Sequence, residues 1–101
     1  MLVHCVFFWM KKGAPKGAAA QTIRDARKYL RTPSVRHLWA GSPAATPIRD
    51  VVNATYDAGL VVAFDDVRGH DAYQEAPSHQ VFIRRNKKNW LRVEVLDFEQ
   101  P

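Results

Sequence analysis

The segment Leu2–Met10 limits the possible folds of this chain more than any other stretch. It reads Leu-Val-His-Cys-Val-Phe-Phe-Trp-Met, rich in β-branched and aromatic residues, and predicts a strand. Alternation puts Leu2, His4, Val6, Phe8 and Met10 on one face and Val3, Cys5, Phe7 and Trp9 on the other. Both faces are apolar almost throughout. A strand covered on one side only would alternate apolar with polar. This strand therefore expects something packed on each side.

The rest of the chain supplies cover for one side. Ala19, Ile23, Ala26 and Leu30 recur at helical spacing, predicting a helix over 18–31 that Thr32-Pro33 stops. Val35–Gly41 reads as a second strand and Thr55–Phe64 as a third. The third carries Leu60, Val62 and Phe64 on one face, with Gly59, Val61 and Ala63 on the other. Residues 42–54, with Pro43 and Pro47, form a long connection of the kind often used as a binding loop. Asp65-Asp66 marks a helix start, and the helix runs to about Glu75, before Pro77. A further helical stretch covers about 78–89, and Trp90–Phe98 is the last strand.

The order is β-α-β-β-α-β, an α+β ferredoxin-like arrangement. Its antiparallel four-stranded sheet takes helices on one face. A second copy packed sheet to sheet into a barrel covers the other face with one self-complementary patch. The expected assembly is a homodimer, with Cys5 and Trp9 in the dimer face. At 101 residues the chain is one domain, 1–101, by size, and 47% hydrophobic with 25% charged residues is globular composition. No apolar run reaches the ~20 residues of a membrane helix, and no signal peptide is read at the start. One cysteine, Cys5, rules out an intramolecular disulfide and fits a reducing, cytoplasmic setting. The net charge of +5 comes mainly from Arg24–Arg31 and Arg84–Lys88, which read as solvated helix faces. No zinc-finger spacing, stacking motif or phosphate loop accompanies them, so no nucleic-acid partner is expected.

Val3–Lys11, Phe64-Asp65-Asp66 through Asp71-Ala72-Tyr73, Pro77-Ser78-His79 and Trp90–Phe98 together resemble the stress-responsive A/B-barrel (Dabb) family, in the right order over essentially the whole chain. The resemblance implies a dimeric α/β barrel with no obligatory metal or organic cofactor. Some members of that family are plant stress proteins, and one kind is a polyketide cyclase that closes a ring by aldol condensation with a Tyr and a His. Tyr73 and His79 match that pair at the same spacing, and His4 matches a histidine common on the family's first strand. Many members have His-Pro-x-His in the turn, where this chain has Ala76-Pro77-Ser78-His79.

Tyr73 and His79 are the first candidates for chemistry. A histidine near neutral pKa takes a proton from carbon beside a carbonyl, and a phenol donates to the developing oxyanion. The structural alternative is a tyrosine packed by its ring and a histidine capping a helix. His4, His70 and Trp90 are candidate pocket residues, with a hydrogen-bonded core role open for His4 and a surface role for His70. The four histidines, at 4, 37, 70 and 79, form no short metal-ligand motif, so no metal is expected. Three functions stay open: a cofactor-free enzyme acting on a polyketide-like or aromatic carbonyl compound, a non-catalytic domain binding a small hydrophobic molecule in a stress response, and a cofactor-independent monooxygenase.

Overall fold

The computed structural model describes residues 1–101. In chain order it contains β1 (Leu2–Met10), α1 (Ala18–Tyr29), β2 (Val35–Gly41), β3 (Ala58–Phe64), α2 (Val67–Glu75), α3 (Pro77–Asn86), a short 3-10 turn (Lys87–Asn89) and β4 (Trp90–Glu99). The four strands form one antiparallel sheet in the order β2-β3-β1-β4. This is the expected α+β ferredoxin-like arrangement.

β1 is an inner strand, and one of its two apolar faces lies beneath the helices. Leu2, Val6 and Phe8 are buried beneath the helices with Leu60, Val62 and Phe64 of β3, and Ala26, Leu30, Tyr73 and Phe82 close the core from the helix side. One polar network ties the helices together inside this layer. Asn86 is fully buried; its amide donates to Asp25 Oδ2 and to the Phe82 carbonyl, both at 3.0 Å, and its oxygen accepts from Thr22 Oγ1 at 3.1 Å. Arg85 Nε adds a 2.8 Å bond to the same Asp25 oxygen, and Trp90 Nε1 donates to Thr22 Oγ1. Every buried polar atom in the group thus has a partner, as burial requires.

The start of β3 and the ends of α1 and α3, the last passing into a 3-10 turn over Lys87–Asn89, differ from expectation. β3 begins at Ala58 rather than Thr55, because residues just before it strap the loop to β1. Asp57 Oδ2 accepts from Met10 N at 2.7 Å, Asp57 N donates to the Phe8 carbonyl, and Trp9 Nε1 donates to Thr55 Oγ1. α1 ends at Tyr29, two residues early.

The larger correction concerns cover. The helices lie over β2, β3 and β1 and reach Trp90 at the start of β4, but leave the rest of that edge strand open. Val93 and Val95, which pair with Phe8 and Val6, point to the helix side and are nonetheless exposed. The three helices are too few and too short to roof four strands. On the opposite face Trp39, Leu96 and Phe98 are each more than half exposed, beside half-buried Val3, Cys5, Phe7 and Val61.

Candidate functional site

The site depends on a break between α2 and α3. Asp66 caps α2 by accepting from Gly69 N at 3.0 Å. Ala76 then adopts φ −62°, ψ 138°, because the ring of Pro77 excludes helical angles from the residue before it. Pro77 itself opens α3, where its missing N–H costs nothing. The resulting bend brings His79 back against Tyr73, with ring centroids 4.8 Å apart and edge to face. No side-chain hydrogen bond caps α3, so His79 does not act as its cap.

Beneath this bend, between helices and sheet, lies a cavity of about 140 Å³. His4, Tyr73, Gln74, His79 and Trp90 line it, with Val93 and Val95 forming the wall toward the open edge strand. Larger hollows exist on the open face and along the edges, but only this one holds buried histidine and tyrosine side chains. No Lys, Arg, Asp or Glu lines it.

The electrostatics follow from burial. Tyr73 is 1% exposed, and loss of solvent raises its phenol well above the usual range, so the hydroxyl stays protonated as a donor. His79 is held below its ordinary value of 6.5 by burial, helped by the neighbouring His4 and His70 rings, and is neutral at neutral pH. Two buried side-chain atoms have no hydrogen-bond partner, Thr32 Oγ1 and His79 Nδ1, and only the second belongs to a cavity-lining residue. An unpaired buried polar atom costs stability, and such atoms concentrate where a ligand or a reaction needs them.

His4 is nearly fully buried on β1, and its ring lies 6.0 Å from that of Tyr73. Its Nδ1 is 2.6 Å from Oδ1 of Asp97, its register partner on β4. Burial lowers the pKa of His4 against the opposing pull of Asp97, so the neutral ring donates Nδ1–H to the carboxylate.

Tyr73, His79, His4 and Trp90 are therefore brought to one cavity. His70 is not. It sits one turn nearer the start of α2, and its ring meets His4 at 5.0 Å and Phe64 at 5.8 Å instead of the cavity. Asp97 escaped the sequence reading, although a signal was present. In β4 it follows Leu91, Val93 and Val95 at strand spacing, a carboxylate where an apolar run breaks off. His37 stacks on Trp39 on the open face, far from the cavity's lining.

Comparison with known proteins agrees with this architecture. The sequence profile of a family described as Stress responsive A/B Barrel Domain matches residues 2–100. No curated protein matches the chain significantly. Among solved structures, a dimeric ferredoxin-like protein of unknown function from Thermobifida fusca superimposes with a TM-score of 0.79 at 18% identity, covering 98% of this chain and 90% of that one. A Dabb family protein with a ferredoxin-like fold from Mesorhizobium loti gives 0.75 at 22%, covering 99% and 96%. Hydroxynitrile lyase from Passiflora edulis gives 0.75 at 16%, covering 99% and 93%. At these identities the likeness is one of fold.

Proposed function

The chain belongs to the stress responsive A/B barrel domain family, and we propose that it is a cofactor-free enzyme that moves a proton next to the carbonyl of a small, uncharged, largely apolar compound. One observation carries this reading: a neutral histidine and an un-ionised phenol meet edge to face on one apolar cavity. His79 is the base and Tyr73 the donor. A proton leaves the carbon beside the carbonyl for a nitrogen of His79, and the bonding pair passes to the carbonyl oxygen. There it accepts a hydrogen bond from the Tyr73 hydroxyl, which burial keeps protonated. The enolate then recovers the proton from His79, or attacks a second carbonyl in the same molecule to form a carbon–carbon bond, and the alkoxide that results takes the proton from His79. His4, held by Asp97, and Trp90 line the pocket.

The cavity limits the substrate. At about 140 Å³ it is smaller than the roughly 300–1,000 Å³ of sites for drug-sized ligands. An occupant longer than one ring would extend past Val93 and Val95. Without a cation in the lining, a carboxylate or phosphate finds no partner.

The working unit we propose is a homodimer in which the open faces of two sheets meet. The exposed Trp39, Leu96 and Phe98 support this, since soluble monomers rarely leave such a patch bare. A cytoplasmic setting suits a chain with one free cysteine.

The test needs no knowledge of the natural product. The full chain is incubated in D2O with small uncharged ketones, phenylacetone first, and loss of the α-proton signal is followed by NMR. We expect exchange above the buffer rate, and a fall on the order of 10²–10⁴-fold for His79→Ala. Equal exchange by His79→Ala and wild type would overturn the assignment. A second reading, binding without conversion, is favoured by Ala76, which stands where many relatives carry a histidine. Saturable binding of phenylacetone without any exchange would select it.

A further inference from the structure

The geometry points to a divalent transition-metal site formed by His4, His70 and Asp97 beside the cavity. Sequence spacing hides it, because the three residues come from β1, α2 and β4. Folding brings one nitrogen of each ring and one carboxylate oxygen within 4.8 Å of one another. Two imidazoles and a carboxylate on one side of an open position is a donor set that suits zinc, iron(II), cobalt(II) or nickel(II), and suits magnesium or calcium poorly.

The surroundings are arranged as ligands require. His70 Nδ1 lies 3.1 Å from Asp71 Oδ1, and the Gln74 amide nitrogen lies 3.4 Å from His70 Nε2. Donation from Nδ1–H to Asp71 puts the lone pair on Nε2, where a metal ion would displace the long contact from the Gln74 amide. A carboxylate behind a ligating histidine fixes the ring and its tautomer in this way. His4 and Asp97 already meet at 2.6 Å across paired strands, so an ion that binds both displaces the proton shared between His4 Nδ1 and Asp97 Oδ1. His70 and Asp97, with 22% and 42% of their side chains exposed, lie nearer the surface than His4. Bonds of roughly 2.0–2.1 Å in a tetrahedral site set donor atoms about 3.3 Å apart, so the widest separation must close by on the order of 1.5 Å while the His4–Asp97 contact opens from 2.6 Å. Its fourth position remains for water.

Occupancy is measured independently of turnover, so this inference and the proposed proton transfer stand or fall separately. Zinc chloride alone is titrated calorimetrically into the full chain at neutral pH, and cobalt(II) is added in parallel to read coordination from its visible absorption. We expect one ion per chain and a cobalt spectrum of tetrahedral intensity. Asp71→Asn, a change at an exposed position, should weaken binding by about 10–100-fold. His70→Ala and Asp97→Asn should weaken it further, and His37→Ala should leave it unchanged. No binding at millimolar zinc would overturn the site. So would binding that survives both His70→Ala and Asp97→Asn.

Discussion

Replacing Tyr73 by phenylalanine separates a site from a core residue. Tyr73 is 1% exposed and packs against Phe64 at 5.0 Å and His79 at 4.8 Å, so its ring belongs to the core. Its hydroxyl stands apart from that role: burial alone accounts for its raised pKa, with no hydrogen bond contributing. A buried hydroxyl paired inside the protein typically contributes about 0.5–1.5 kcal/mol, which Tyr→Phe would remove. Here no such bond is lost, and the desolvation of the hydroxyl is relieved. Tyr73→Phe should therefore change stability by less than about 0.5 kcal/mol, or raise it. Tyr73→Ala should cost roughly 3–5 kcal/mol, as for other buried aromatic truncations. Chemical denaturation with urea reads both, and thermal melts provide a check, since 1 kcal/mol moves the midpoint of a domain near this size by about 4–8 °C. Phenylacetone exchange is measured on the same samples and should fall by on the order of 10²-fold in Tyr73→Phe. A stable variant with lost exchange marks the hydroxyl as functional. A loss of 1 kcal/mol or more in Tyr73→Phe would refute the reasoning, because the hydroxyl would then have a structural partner.

Other consequences follow from the same structure. His79 has a folded pKa below its ordinary 6.5, so the unfolded chain binds its proton more readily. The stability this represents is present above about pH 6.5 and is lost as pH falls through the folded value; urea midpoints from pH 7.5 to pH 5 should fall less steeply in His79→Gln than in wild type. Asn86→Ala strands Thr22 and one bond of Asp25 in the interior, and at roughly 1–3 kcal/mol per buried partner should destabilise by about 2–4 kcal/mol in urea titration. Leu96→Glu puts a charge on the open sheet face. Light scattering should find wild type as a dimer and this variant as a monomer with unchanged circular dichroism.

The residues of the site were legible to different degrees, and the differences are physical. Tyr73 and His79 could be singled out because Pro77 forces a bend between them whatever else the chain does. Trp90 could be placed because it opens a strand beside a turn. His70 was misplaced because a shared helix face does not say at what height along the helix a cavity lies. Asp97 was passed over because its meaning depends on the strand beside it. It pairs with His4 only once β4 lies against β1 in the observed register.

By itself, then, the sequence determined the order of elements, the two apolar faces of β1 and the bend at Ala76-Pro77, since these follow from local steric limits and from apolar periodicity. Only the tertiary structure decided that most of β4 would remain unroofed, that Asp97 would hold His4, and that His4, His70 and Asp97 would converge. Those are contacts between residues distant along the chain. Strand register and helix length fix them, and neither is written in the spacing of any one segment.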